Sequence, residues 1–328
     1  MDVARATACA LVVLLHSGAS YFYAFGPLWV PAVVFDALGR GAVPMFFMLS
    51  GALLLRKHEP IFSFYRRRVV RVLLPLTFWT AVYVFAFGDH SISLFDHFVH
   101  YLVTPYGHLW YFYAALGLYL SAPYLGMILR ASSDREILVF LGLWFSVSCV
   151  LNQVRLLSVM SSDVPTLFGG QLFSGYLGFF VLGAYLQRES VLSWIGGWPS
   201  LWVFALSTTG VALATIAYSL RMGRPDQSFF VYQTPLVAVA SIAGFVWLTS
   251  IRSLPRFPGA AVRVIADSSL GIYCLHPILL SFYQDRLHLG DSIHSTWLKI
   301  PVVWLVVFCT ALALIHVARK VPPLKRVA

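Results

Sequence analysis

The sequence predicts an all-α fold, a polytopic transmembrane helical bundle of about ten spans with both termini on the cytoplasmic side. Three observations carry that expectation. Charged residues make up 11% of the 328 residues, whereas a soluble domain holds about 25%. Hydrophobic residues make up 59%, the mean hydropathy is +0.79, and apolar runs recur at close to the ~20 residues that cross a hydrocarbon core. Such runs far exceed what the core of a soluble domain requires. Third, the 23 Lys and Arg residues sort unequally between alternate connections.

Hydropathy places the spans at roughly 4–24, 30–55, 70–88, 108–130, 137–154, 170–187, 200–220, 231–250, 264–284 and 299–318. The second is the least regular, because Asp36, Arg40 and Pro44 interrupt it; residues 28–41 read as a loop or half-helix before a shorter span. With the N-terminus inside, 17 of the 23 basic residues fall on the inner side, as the positive-inside rule requires. The outer side keeps Arg40, Arg155, Arg221, Arg224, Arg286 and Lys299. The outer loops carry Asp89, Asp96, Asp163, Asp226, Asp285 and Asp291, with His90, His97, His100, His288 and His294, and read mostly as solvated.

The formal charge of +10 is thus explained by the membrane rather than by nucleic acid. Residues 6–15 resemble a signal-peptide core, but no small-x-small cleavage site follows cleanly, so a retained first span is expected. Cys9, Cys149, Cys274 and Cys309 lie in apolar runs without a CxxC pair; buried thiols are expected, with neither disulfide nor metal site. One membrane domain, 1–328, fills the chain, and no internal repeat is evident.

Against this apolar background a few polar groups stand out. Arg5 and His16 lie eleven residues apart in the first span, about three helical turns, which puts them on one face and separates them by about 16 Å. That is roughly half of a ~30 Å hydrocarbon core, so His16 sits near the midplane, where ionisable groups mark functional interiors. A snorkelling anchor at Arg5 and an interhelical hydrogen bond at His16 are the plainer readings. Arg68 and Arg71, three apart, share a helix side, and paired guanidinium forks suit phosphate oxygens; ordinary inner-side charge is the rival.

Three further stretches are less specific. Ser50-Gly51 places a small pair in an apolar span, favouring close helix packing. His108-Leu-Trp110-Tyr111-Phe-Tyr113 reads as an interfacial aromatic belt or as a sugar-stacking surface. In Asp267-Ser-Ser-Leu-Gly-Ile-Tyr273-Cys-Leu-His276-Pro277, the proline frees backbone groups beside a membrane-embedded histidine.

Taken together, Asp2-x-x-Arg5…His16, Phe-Phe-x-x-Ser50-Gly51, Arg68-x-x-Arg71…Pro75, His108-x-Trp110 and Gly271-Ile-Tyr273-x-x-His276-Pro277 resemble the membrane acyltransferase-3 family over nearly the whole chain. The resemblance is to its short, membrane-only type, similar to the enterobacterial common antigen O-acetyltransferase and the polysaccharide succinyltransferases. It implies transfer of an acyl group, usually acetyl, from cytoplasmic acyl-CoA to a hydroxyl of a surface or lipid-linked glycan in the bacterial inner membrane. It makes His16 catalytic and Arg5, Arg68 and Arg71 the acyl-CoA site, with Ser50, Trp110, Tyr111, Tyr273 and His276 as accessory candidates. Acyl-CoA, the glycan and membrane lipid are the expected partners; no permanently bound cofactor is expected. Asp36 and Asp267 are candidates to orient the His16 ring. A glycan transporter, or a non-catalytic part of a polysaccharide assembly complex, is the alternative.

Overall fold

The structure is a computed structural model and describes residues 1–57, 59–88, 93–157, 175–188, 191, 197–251 and 254–328. Asp89, His90, Asp163, Arg252 and the start of the expected sixth span lie outside the described residues. Helices dominate, and no strand occurs among the described residues. In chain order run α1 (Asp2–Gly18), α2 (Trp29–Arg40), α3 (Ala42–Leu54), α4 (Ile61–Phe87), α5 (Leu94–Val103), α6 (Trp110–Ala131) and α7 (Asp134–Phe145). There follow α8 (Leu177–Leu186), α9 (Trp198–Met222), α10 (Pro235–Ser250), α11 (Arg256–Ser281) and α12 (Thr296–Ala318).

Eight helical stretches among the described residues are long and apolar enough to cross a membrane. Each of the ten expected spans overlaps an apolar helix, but α8 and α10 have 10 and 16 residues, short of the ~20 that a crossing takes. Enclosure accounts for their tolerance of that length. Every residue of α8 from Gly178 to Leu186 is buried, and a helix apolar on all sides belongs inside a bundle.

Of the two readings of 28–41, the structure shows the half-helix and not the loop. Helices α2 and α3 form one apolar stretch of 26 residues, Trp29–Leu54, with Gly41 between them. Pro44 lies in the first turn of α3, where a missing N–H removes no intrahelical bond. Arg40 therefore does not belong to an outer loop: it sits about 16 Å along the helix from Trp29. Its partner is Asp36, one turn earlier, through Nε–Oδ1 and Nη2–Oδ2 contacts of 2.6 Å each. The guanidinium also lies 4.6 Å from the centre of the Phe230 ring and 5.9 Å from that of Tyr232. A charge at this depth is tolerated because its counter-ion is built into the same helix face.

Helix α1 is the hub, packed against α2, α3, α11 and α12. The tightest contact joins α3 to α8. A Cβ at Gly51 would fall 1.7 Å from the Phe180 carbonyl oxygen, and one at Gly183 would fall 1.9 Å from the Met48 carbonyl oxygen. The two backbones touch, which is the close packing expected of Gly51 and which lipid-embedded helices use when hydrophobic force between them is absent. At the same end as Arg5, three arginines bond the carbonyls where helices finish. Arg56 donates to Gln187 after α8 at 3.1 Å, Arg130 to Leu55 after α3 at 3.5 Å, and Arg188 to Leu129 near the end of α6 at 3.4 Å. Such donors satisfy orphan carbonyls and oppose the helix dipoles.

Two outcomes follow from this packing. Replacing Gly183 with Val forces α3 and α8 apart and is expected to cost about 1–3 kcal/mol or more, read as a fall in thermal midpoint in detergent. Asp36→Asn leaves Arg40 without its counter-ion, with an expected loss of about 3–5 kcal/mol. The double replacement Asp36→Leu with Arg40→Met recovers most of that loss in the same assay, because no buried charge remains.

Candidate active site

The first turn of α1, the N-terminal half of α4 and parts of α3, α6 and α11 enclose a cavity of about 250 Å³. Its charged wall is Arg5 from α1 with Arg68 and Arg71 from α4. Helical spacing explains the pairing on α4, where residues three apart point to one side. Most of the remaining lining is apolar and aromatic, with Val43, Phe46, Tyr111, Phe112, Tyr119 and Tyr273 among its residues. Ser50 stands behind it, its hydroxyl 3.3 Å from that of Tyr119.

These arginines are poorly neutralised. Among the described residues the side chains of Arg5 and Arg71 have no ion pair or hydrogen bond. Arg68 approaches Glu59 at 3.9 Å, while Glu59 lies closer to Arg67, at 3.2 Å. The Nε of Arg68 is buried without an acceptor. Three cations line a largely apolar cavity, and the one carboxylate paired with any of them among the described residues, Glu59, is shared with Arg67; such a lining suits an anion.

Beyond Tyr273, three histidine rings stand in a row. Tyr273 lines the cavity, and its ring centre is 6.0 Å from that of His276. His276, on α11, is fully buried. Its ring centre lies 4.9 Å from that of His16 on α1 and 5.5 Å from that of His108 before α6. The Nδ1 of His16 is 3.1 Å from the Nε2 of His276 and 2.9 Å from its own Val12 carbonyl. His276 turns Nδ1 to the Ile272 carbonyl at 3.2 Å. Pro277, having no N–H, leaves the Tyr273 carbonyl without its intrahelical donor, and that carbonyl also faces the His276 ring. The Tyr273 hydroxyl in turn donates to the backbone carbonyl of His108, and His108 Nε2 lies 3.5 Å from the Tyr83 hydroxyl.

The structure thus brings Arg5, Arg68, Arg71, Tyr111 and Tyr273 to one cavity and His16 with His276 just behind it. Trp110 stands apart, stacked on Tyr176 with ring centres 5.5 Å apart and 6.0 Å from Tyr232. Neither carboxylate considered for His16 is available to it. Asp36 gives both oxygens to Arg40, and Asp267 is exposed, its carbonyl taken by Arg319. Sequence reasoning did not assign His108 to the histidine row, although its place beside Trp110 in an apolar run was a signal. Tyr119 and Glu59 gave none, since neither interrupts its local pattern.

Comparison with known proteins bears on the chain as a whole. Residues 1–318 match a protein family described as an acyltransferase domain. No curated protein and no solved structure matches the chain. An all-α, multi-pass membrane chain whose match to that family runs through every helix from α1 to α12 is a member of it: the protein belongs to the Acyl_transf_3 acyltransferase family and is an acyltransferase.

Proposed function

We propose that the protein moves an acyl group, most simply acetyl, from acyl-CoA to a hydroxyl of a cell-surface or lipid-linked polysaccharide, in the manner of the short membrane-only O-acetyltransferases. The setting is the bacterial inner membrane, with the Arg5 end of the bundle facing the cytoplasm, and acyl-CoA is a substrate rather than a resident cofactor. The observation that carries this reading is the convergence of Arg5, Arg68 and Arg71 on one cavity with so little negative charge to balance them. Phosphate groups are the natural counter-ions of such forks. The ~16 Å between Arg5 and His16 along α1 is close to the reach of an extended pantetheine arm, which would set the thioester near His16 while the phosphates stay on the arginines.

At that point His16 acts as general base. The proton of the acceptor hydroxyl passes to His16, the hydroxyl oxygen bonds to the acyl carbon, the C–S bond breaks, and the thiolate leaves with the proton returned by His16. In the relay variant the imidazole takes the acyl group first and hands it to the hydroxyl. Support for a sugar acceptor comes from the half-buried faces of Trp110, Tyr176 and Tyr232 beside Arg40, a surface suited to stacking on a pyranose ring.

Two measurements test this. With purified protein, labelled acetyl-CoA and an acceptor-rich glycan extract, His16→Ala is expected to lower kcat by roughly 10²- to 10⁴-fold while CoA still binds. Arg68→Ala and Arg71→Ala are each expected to raise the KM for acetyl-CoA about tenfold or more, the loss of one charge-assisted contact. Wild-type protein that neither binds nor consumes acyl-CoA would refute the reading and favour a glycan transporter or a non-catalytic assembly component. Normal turnover in His16→Ala would leave the enzyme standing and remove His16 from its centre.

A further inference from the structure

We propose that His276 is the positioning residue for His16, holding its ring in the one tautomer that leaves Nε2 as the basic nitrogen; the inference rests on the acyltransfer reading above. A backbone carbonyl only accepts hydrogen bonds. Val12 therefore requires the proton of His16 to reside on Nδ1, 2.9 Å away. Ile272 likewise requires the proton of His276 on its Nδ1, 3.2 Å away. A neutral imidazole has one N–H, so the Nε2 of His276 carries a lone pair, and it stands 3.1 Å from the His16 Nδ1–H. All three contacts are satisfied by this single assignment. The reverse one sets a lone pair against each carbonyl.

The assignment fixes what His16 can do. Its Nδ1 is committed to Val12 and His276, and Nε2 is left to take the hydroxyl proton or to attack the thioester. Once Nε2 is protonated, the Nδ1–H becomes part of an imidazolium, and its bond to His276 strengthens as a charge-assisted one. In soluble enzymes a carboxylate commonly occupies that orienting position. Among the described residues neither carboxylate considered for that position takes it, because Asp36 is held by Arg40 and Asp267 is exposed. A neutral imidazole at membrane depth also avoids the desolvation cost of a second buried charge. His276 is itself immobilised: it is fully buried, tied to its own helix, and flanked by the His108 and Tyr273 rings.

The test combines kinetics with a spectroscopic readout. His276→Ala is expected to lower kcat about tenfold to hundredfold with the KM for acetyl-CoA unchanged, since the arginine cavity is intact. His276→Gln, whose side-chain oxygen can accept from His16 Nδ1–H, is expected to recover most of that loss. In wild-type protein labelled with ¹⁵N-histidine, the His16 signals, assigned by their loss in His16→Ala, are expected to report a protonated Nδ1 and an unprotonated Nε2. Equal losses in the Ala and Gln variants, a kcat in His276→Ala equal to that of wild type, or an Nε2–H tautomer at His16 would each overturn the proposal. If wild-type protein shows no acyl-CoA turnover, the acyltransfer reading fails, and the ¹⁵N measurement still decides whether the pairing exists.

Discussion

Inside a hydrocarbon layer a polar group has no water to turn to, so it must find its partner within the protein or face a ligand. Much of this bundle follows from that constraint. Ser17 bonds the Val13 carbonyl, Ser241 the Val237 carbonyl, and Trp304 reaches across from α12 to the Ala10 carbonyl on α1. Asp36 and Arg40 neutralise one another within a single helix turn, and His16 and His276 complete one another between two helices. Against this background of internal pairing, the arginine cavity stands out because its cations lack comparable partners.

Close approach of backbones gives that site its shape. The contact of Gly51 and Gly183 with the opposing carbonyls draws α3 against α8. Phe46 is thereby held on the cavity wall, with Ser50 behind Tyr119. Helix α1, packed among α2, α3, α11 and α12, carries Arg5 into the cavity and His16 beyond it. One rigid helix thus spaces the Arg5 guanidinium from the imidazole, and that distance is set by helix geometry rather than by a flexible loop.

Helix α11 adds a second kind of control. Pro277 removes one intrahelical donor, and the His276 ring is turned toward the carbonyl groups at that turn. The same stretch places Tyr273 between the cavity and the histidine row, with its hydroxyl anchored on the His108 carbonyl. Five consecutive residues, Tyr273 to Pro277, therefore supply a cavity wall, a buried imidazole and the backbone feature that faces the imidazole.

The sequence by itself determined the membrane character, the helical class and the position of nearly every apolar helix, because hydropathy and helical periodicity are local properties of the chain. It also determined that Arg5 and His16 share a face, since their separation obeys the geometry of one helix. The irregular second segment misled, because Asp36 and Arg40 looked like loop charges until their ion pair showed them to be mutually neutral. Tertiary structure decided what local pattern does not contain. The partner of His16 lies 260 residues away on α11, the residue facing Gly183 is Met48, and Asp36 belongs to Arg40 rather than to the imidazole. Each of these depends on how helices are rotated and packed against one another, and a rotation of one residue, about 100°, would have redirected any of them without altering the hydropathy of the chain.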